Sequence, residues 1–191
     1  MNRSIQKANT RKKLLQTAIK LFKLNGIKAV KTGEIAQNAG VSTGTFYVHF
    51  KSKEEIISAI YYDSFNDFMQ ERLKTLNVNA ESLTQLLIKI GNFEFNFVDQ
   101  VGREVTTNAF SANLMTNYEH PGHHLESRTF PAKIKTIIAK KDARNPEETL
   151  VEFETLLRGI MLTWCFNQEP RSITAFGDQF LHKYVPTLTN Q

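Results

Sequence analysis

The chain has 191 residues, 41% of them hydrophobic and 23% charged, with a formal net charge of +5. That length holds one good core or a small module joined to a larger one, and the balance is ordinary for a folded soluble protein. No apolar run approaches the eighteen or so residues that a membrane span needs, and the polar, basic N-terminus lacks the apolar segment of a secretory signal.

The elements read as helices throughout. Residues 10–25 place Leu14, Leu15, Ala18, Ile19, Leu21 and Phe22 on one stripe, with Thr10 as cap and Asn25-Gly26 as the stop. Two short helices follow, at about 32–38 and 42–48. Gly40 suits the left-handed conformation common at a helix C-terminus, and Ser42 is a strong N-cap. Ile35, Ala36, Val41, Phe46 and Phe50 are expected in the small core. Two helices crossing through a short, glycine-containing turn form a helix-turn-helix, whose second helix enters the DNA major groove.

Ser52-Lys53-Glu54-Glu55 is a capping box opening a long helix that fades near Leu76-Asn77. Ser82 caps a helix through Phe97, and residues 103–117 predict a shorter one. A loop with Pro121-Gly122 follows. Ser127 precedes a helix to about Lys141, and Asn145-Pro146-Glu147-Glu148 is a strong helix start. That helix runs to about Asn167, and a last one covers about Ser172 to Leu188. The expected fold class is all-α, with a helix-turn-helix domain over 1–51 and a larger helical domain over 52–191.

Charge coincides with the motif. Residues 1–55 carry eleven lysines and arginines against Glu34, Glu54 and Glu55, a local charge of +8, while the remainder sums to −3. A basic surface on a helix-turn-helix points to a polyanion. Lys51 and Lys53 lie where the second short helix ends and the long helix begins, a place suited to phosphate. Thr43 and Thr45 are the base-contact candidates, beside Ser42 and Gly44 at the leading edge of the helix. With no Arg, Asn or Gln there for bidentate pairing, specificity is expected to lean on DNA shape and half-site spacing.

The block Glu34-Ile35-Ala36, Ala39-Gly40-Val41-Ser42, Gly44-Thr45-Phe46-Tyr47, His49-Phe50 and Lys53-Glu54-Glu55 resembles the TetR family of one-component bacterial regulators. The resemblance covers about residues 8–56. It implies a three-helix DNA-binding domain, phosphate contacts at Tyr47 and His49, and a helical domain that dimerises through its last two helices and encloses a ligand pocket. The family commonly has threonine at the position of Lys31, as a helix cap and phosphate contact. Here Val30-Lys31-Thr32-Gly33 leaves that cap missing or shifted to Thr32.

The later half is rich in rings. Phe93, Phe97, Phe110, Met115, Phe130, Met161, Trp164 and Cys165 are the candidates for an apolar ligand pocket. Glu94, Asp99 and Glu104 are either complements to a cationic ligand or surface residues. His120, His123 and His124 match no helical metal-ligand spacing, so no metal and no cofactor are expected. No nucleophile–base set or phosphate loop stands out, and enzymatic activity is not expected. The reading is a cytoplasmic, homodimeric repressor that binds a pseudo-palindromic DNA operator and is released by a small apolar or aromatic effector. A ligand-binding helical protein with weakened DNA binding, and an activator controlled by a protein partner, stay open as alternatives.

Overall fold

The computed structural model describes residues 3–119, 129–141 and 145–189, and every regular element among them is helical. Helix α1 spans Arg3–Asn25, α2 Thr32–Asn38, α3 Thr43–His49 and α4 Lys53–Ala59. A π-helical turn, Ile60–Ser64, leads into α5, Phe65–Leu73. Then come α6 (Leu83–Val101), α7 (Arg103–Glu119), α8 (Phe130–Lys141), α9 (Pro146–Phe166) and α10 (Ile173–Thr189). The His120, His123 and His124 loop and the expected cap Ser127 lie outside the described residues.

Two expected boundaries are corrected. Helix α1 begins at Arg3, not at Thr10, because residues 3–9 contain good helix formers and neither glycine nor proline. Thr10 sits inside it, its hydroxyl donating to the Gln6 carbonyl at 3.0 Å. The long helix expected from Ser52 is interrupted by the π turn. Its buried positions include Ile57, Tyr61, Phe65, Met69 and Leu73, a strict four-residue spacing. An ideal α-helix turns such a stripe by about 40° per step, and one wider turn restores the face.

The chain packs as two compact units, a partition by contact where the 51/52 division was one by motif. The first comprises the residues up to Phe65 with those from Gln100 through α7. Its centre holds Leu14, Ala18, Ile35, Ala36, Ala39, Phe46, Ile56 and Ile60, all fully buried. Val105 and Ala109 of α7 are buried in the same unit. The Tyr61 hydroxyl donates to Thr106 Oγ1 at 2.7 Å, and that hydroxyl donates onward to the Gly102 carbonyl at 2.9 Å. Gly102 joins α6 to α7 with φ +85°, a conformation that favours glycine.

The second unit comprises Asn66–Asp99 and the residues from α8 onward. Helix α9 packs against both α8 and α10. Two glycines allow close approach to α10: a Cβ on Gly91 would lie 2.8 Å from a Leu181 methyl, and one on Gly177 would overlap the Phe95 ring. Helix starts are capped as the sequence predicts. Ser82 and Gln85 exchange reciprocal capping bonds, and Asn145 Oδ1 accepts from the Glu148 amide at 3.3 Å. Asp99 caps α10 from another helix, accepting the Ile173 and Thr174 amides at 2.9 and 3.2 Å.

Candidate nucleic-acid interface

The turn between α2 and α3 is built by backbone chemistry. Gly40 has φ +66°. The Gly40 amide donates to Gln37 O at 2.9 Å and the Val41 amide to Ala36 O at 3.0 Å, which together satisfy two carbonyls at the end of α2. Ser42 then caps α3, its Oγ accepting from the Thr45 amide at 3.0 Å and lying 2.9 Å from Thr45 Oγ1. Ile35, Ala36, Phe46 and Phe50 are buried as expected; Val41 is corrected to half-exposed, because the turn that carries it sits at the surface.

This frame turns one face of α3 outward. Ser42, Thr43 and Gly44 are exposed, and Thr45 is half-exposed. A Cβ at Gly44 would meet nothing nearer than Ser42 Oγ at 3.7 Å, so crowding within the chain does not require glycine there. Tyr47 is 52% exposed, rests edge-on against Phe46 and lies with its hydroxyl 3.2 Å from Thr32 Oγ1. Lys31 occupies the N-cap position of α2 in extended backbone and supplies no capping bond. The missing cap is therefore real, and the Thr32 hydroxyl is turned toward Tyr47.

The two lysines after α3 differ. Lys51 is exposed, its amide held by Glu55 Oε2 at 2.6 Å while Ser52 Oγ accepts the Glu55 amide at 3.2 Å. Lys53 turns back into the protein, donating to Ile27 O at 2.8 Å and Val30 O at 3.1 Å. It clamps the turn between α1 and α2.

Residues without motif signal complete the site. Arg11 donates to Asp63 Oδ2 at 2.8 Å and to the His49 carbonyl at 2.8 Å, with its guanidinium 4.3 Å above the Phe50 ring. It ties α1 to the end of α3 and to the π turn. Glu104 accepts the Ile27 amide at 2.8 Å, so Lys53 and Glu104 hold opposite ends of one residue's backbone. His49 is half-buried against α1; burial first, then Arg11 and Lys7, lower its pKa from the ordinary 6.5.

The sequence profile described as "Bacterial regulatory proteins, tetR family" matches residues 14–60, the segment that carries α2, the turn and α3. Over that segment the chain is similar to the TetR family. A relative, the HTH-type transcriptional repressor KstR2 of Mycolicibacterium smegmatis, is 38% identical over 87 residues, which is 44% of this chain and 42% of the relative. Over most of the chain the fold is similar to that of solved TetR regulators. The TetR regulator of Nitrosomonas europaea superposes with a TM-score of 0.66 at 18% identity, covering 95% of this chain and 98% of that one. Thermus thermophilus FadR, a TetR-family repressor solved with lauroyl-CoA, gives 0.60 at 15% identity, covering 92% of each.

The eight pocket candidates do not share one environment. Phe97, Phe130, Met161 and Trp164 are buried in the second unit, with Phe93 and Cys165 half-buried there. Phe110 and Met115 fall in the first unit, Phe110 against Tyr61 with ring centroids 6.2 Å apart and Met115 60% exposed. Of the acids, Asp99 and Glu104 cap backbone amides, and Glu94 is buried at 6% exposure, not at the surface. Among the described residues no group of His, Cys, Asp or Glu is placed to hold a metal ion, and no helix is long and apolar enough to cross a membrane.

Proposed function

We propose that the chain is a ligand-responsive repressor, not an enzyme, that binds a pseudo-palindromic operator as a homodimer. The observation that carries this is the capped α3, presenting Thr43, Gly44 and Thr45 outward beside an exposed Tyr47 on a strongly basic unit. Thr43 and Thr45 touch base edges, through hydroxyls and through methyl contact with thymine. Tyr47, Lys31 and Lys51 serve phosphates, with Ser42 and Thr32 within reach of the backbone. Lys53 supports this surface from behind, and His49 forms its flank.

Helix α9 supports the dimer. Val151, Leu162 and Phe166 are 56%, 43% and 88% exposed along one helical face, more apolar surface than a lone helix keeps in water. Tyr184 on α10 is exposed too. The rings and sulfur groups of the second unit favour an apolar effector, and a long-chain acyl thioester is the first compound to try because a repressor of this fold binds one. An effector preferring one spacing of the two recognition helices by a few kcal/mol shifts the population off the operator.

The test is selection of duplexes from a random-sequence library by the full chain, followed by titration with lauroyl-CoA and sedimentation of the complex. The expected result is a two-fold-symmetric site bound by two chains, and release by an acyl thioester. Phe166→Asp is expected to give a monomer that binds a full site at least tenfold more weakly. Recovery of no duplex, or binding by one chain to an asymmetric site, overturns the reading.

A further inference from the structure

The seven residues by which α1 outruns its expected start form one wall of a groove. The other wall is the last turn of α3. The groove encloses about 590 Å³ and is lined by Arg3, Gln6, Lys7, Thr10, Val48 and His49 among others, with no carboxylate in its lining. An adjoining hollow of about 360 Å³ adds Arg11.

We propose that this groove seats a DNA backbone phosphate lying outside the base pairs that α3 reads. The inference rests on the reading of the chain as a DNA-binding protein.

Charge makes the first argument. Arg3, Lys7 and Arg11 repeat every four residues, so they lie on one face of α1. Asp63 neutralises Arg11 across 2.7 Å. Arg3 and Lys7 are exposed and pair with no acid among the described residues, so the positive field of this face is theirs. Lys7 acts on His49 across this face: burial first, then Arg11 and Lys7, disfavour protonation of its ring.

Position makes the second argument. Helix α3 has seven residues and is about 10 Å long. With its first turn on base edges, its far end lies a helix length back, where a strand's backbone borders the major groove. There His49 presents a neutral imidazole that donates from one nitrogen, Lys7 an ammonium with three donors, and Arg3 a fork that matches phosphate oxygens. Val48, 70% exposed, forms an apolar side of the same groove.

The experiment uses the full chain and a duplex that it recovers from a random-sequence library. Lys7→Gln and the Arg3→Gln/Lys7→Gln double variant are compared with Lys20→Gln, on α1 outside the groove. For Lys7→Gln the slope of log affinity against log salt is expected to shrink by about one per half-site, with affinity about tenfold lower on selected and random duplexes alike. Lys7→Arg restores both. On a duplex trimmed to the selected base pairs, wild type and Lys7→Gln converge. An unchanged salt slope for the double variant, with wild-type binding intact, overturns the groove alone. Failure of the wild type to bind any duplex overturns the DNA reading and the groove with it. All three exposed positions are expected to leave thermal unfolding unmoved, which separates lost contact from lost folding.

Discussion

Lys53 shows how a residue's neighbours in space can reassign it. By sequence it stands beside Lys51 as a phosphate ligand, yet its ammonium is held by two backbone carbonyls of the α1–α2 turn. The same holds for Arg11, Asp63 and Glu104, which no motif distinguishes. Their partners lie 52 and 77 residues away along the chain, beyond the reach of periodicity or capping rules. Ser42, Gly40 and Tyr47 were legible because their roles are local or follow from the resemblance. His49 offers a residue-scale prediction. Its folded pKa is below the ordinary 6.5, so protonation disfavours the folded state. Its contribution to stability is therefore complete above about pH 6.5 and declines as pH falls below that value. Lys7→Gln removes one of the opposing charges, and the His49 titration followed by NMR is expected to move upward. A downward move would mean that Lys7 does not act on the ring through charge.

At the scale of elements, two glycines in one motif make opposite demands. Gly33 lies inside α2 with an ordinary helical φ, and a Cβ there would meet only Thr43 Oγ1 at 3.7 Å. Gly33→Ala is expected to raise stability by about 0.5–1 kcal/mol, because glycine in a helix interior carries an entropic cost without a packing return. Gly40 has φ +66°, and a Cβ there would approach Lys13 Nζ at 3.4 Å. Gly40→Ala is expected to cost about 1–2 kcal/mol through the left-handed backbone. Urea unfolding of the two variants checks both signs. Helix existence and type were readable across the described chain because capping residues and apolar stripes agree. The breaks were harder: the π turn leaves only a four-residue spacing in place of mixed three- and four-residue steps, and the early start of α1 carries no core residue to announce it.

For the whole molecule, the helical fold and the likeness to TetR regulators were legible from one quarter of the chain, since a helix-turn-helix is specified by short-range chemistry. The later, ring-rich half was not. Its rings predicted burial, and Phe97, Phe130 and Trp164 are buried. Burial in a helical core and lining of a cavity use the same residues, so the pattern could not say which of them meet. Met115 illustrates the gap: it was a pocket candidate by sequence and is 60% exposed. The candidates at Phe110 and Met115 also fall in a different packing unit from the other six, a partition that depends on how α7 folds back against α1 and α4.

The two-sided hold on Ile27 bears on how such proteins can be recombined. Its carbonyl is gripped from α4 and its amide from α7, while Arg11 needs Asp63 of the π turn. A front end cut after residue 51 leaves all three bonds behind and exposes the apolar sides of α1 that α4 and α7 cover. Such a fragment is expected to lose most of its helical circular dichroism near room temperature. Grafting this helix-turn-helix unit onto another protein therefore requires moving two stretches of chain, residues up to Phe65 and the whole of α7, across the intervening α5 and α6. On the proposed DNA-binding reading, substitution at Thr43 and Thr45 alters specificity without disturbing these bonds, where splicing would break them.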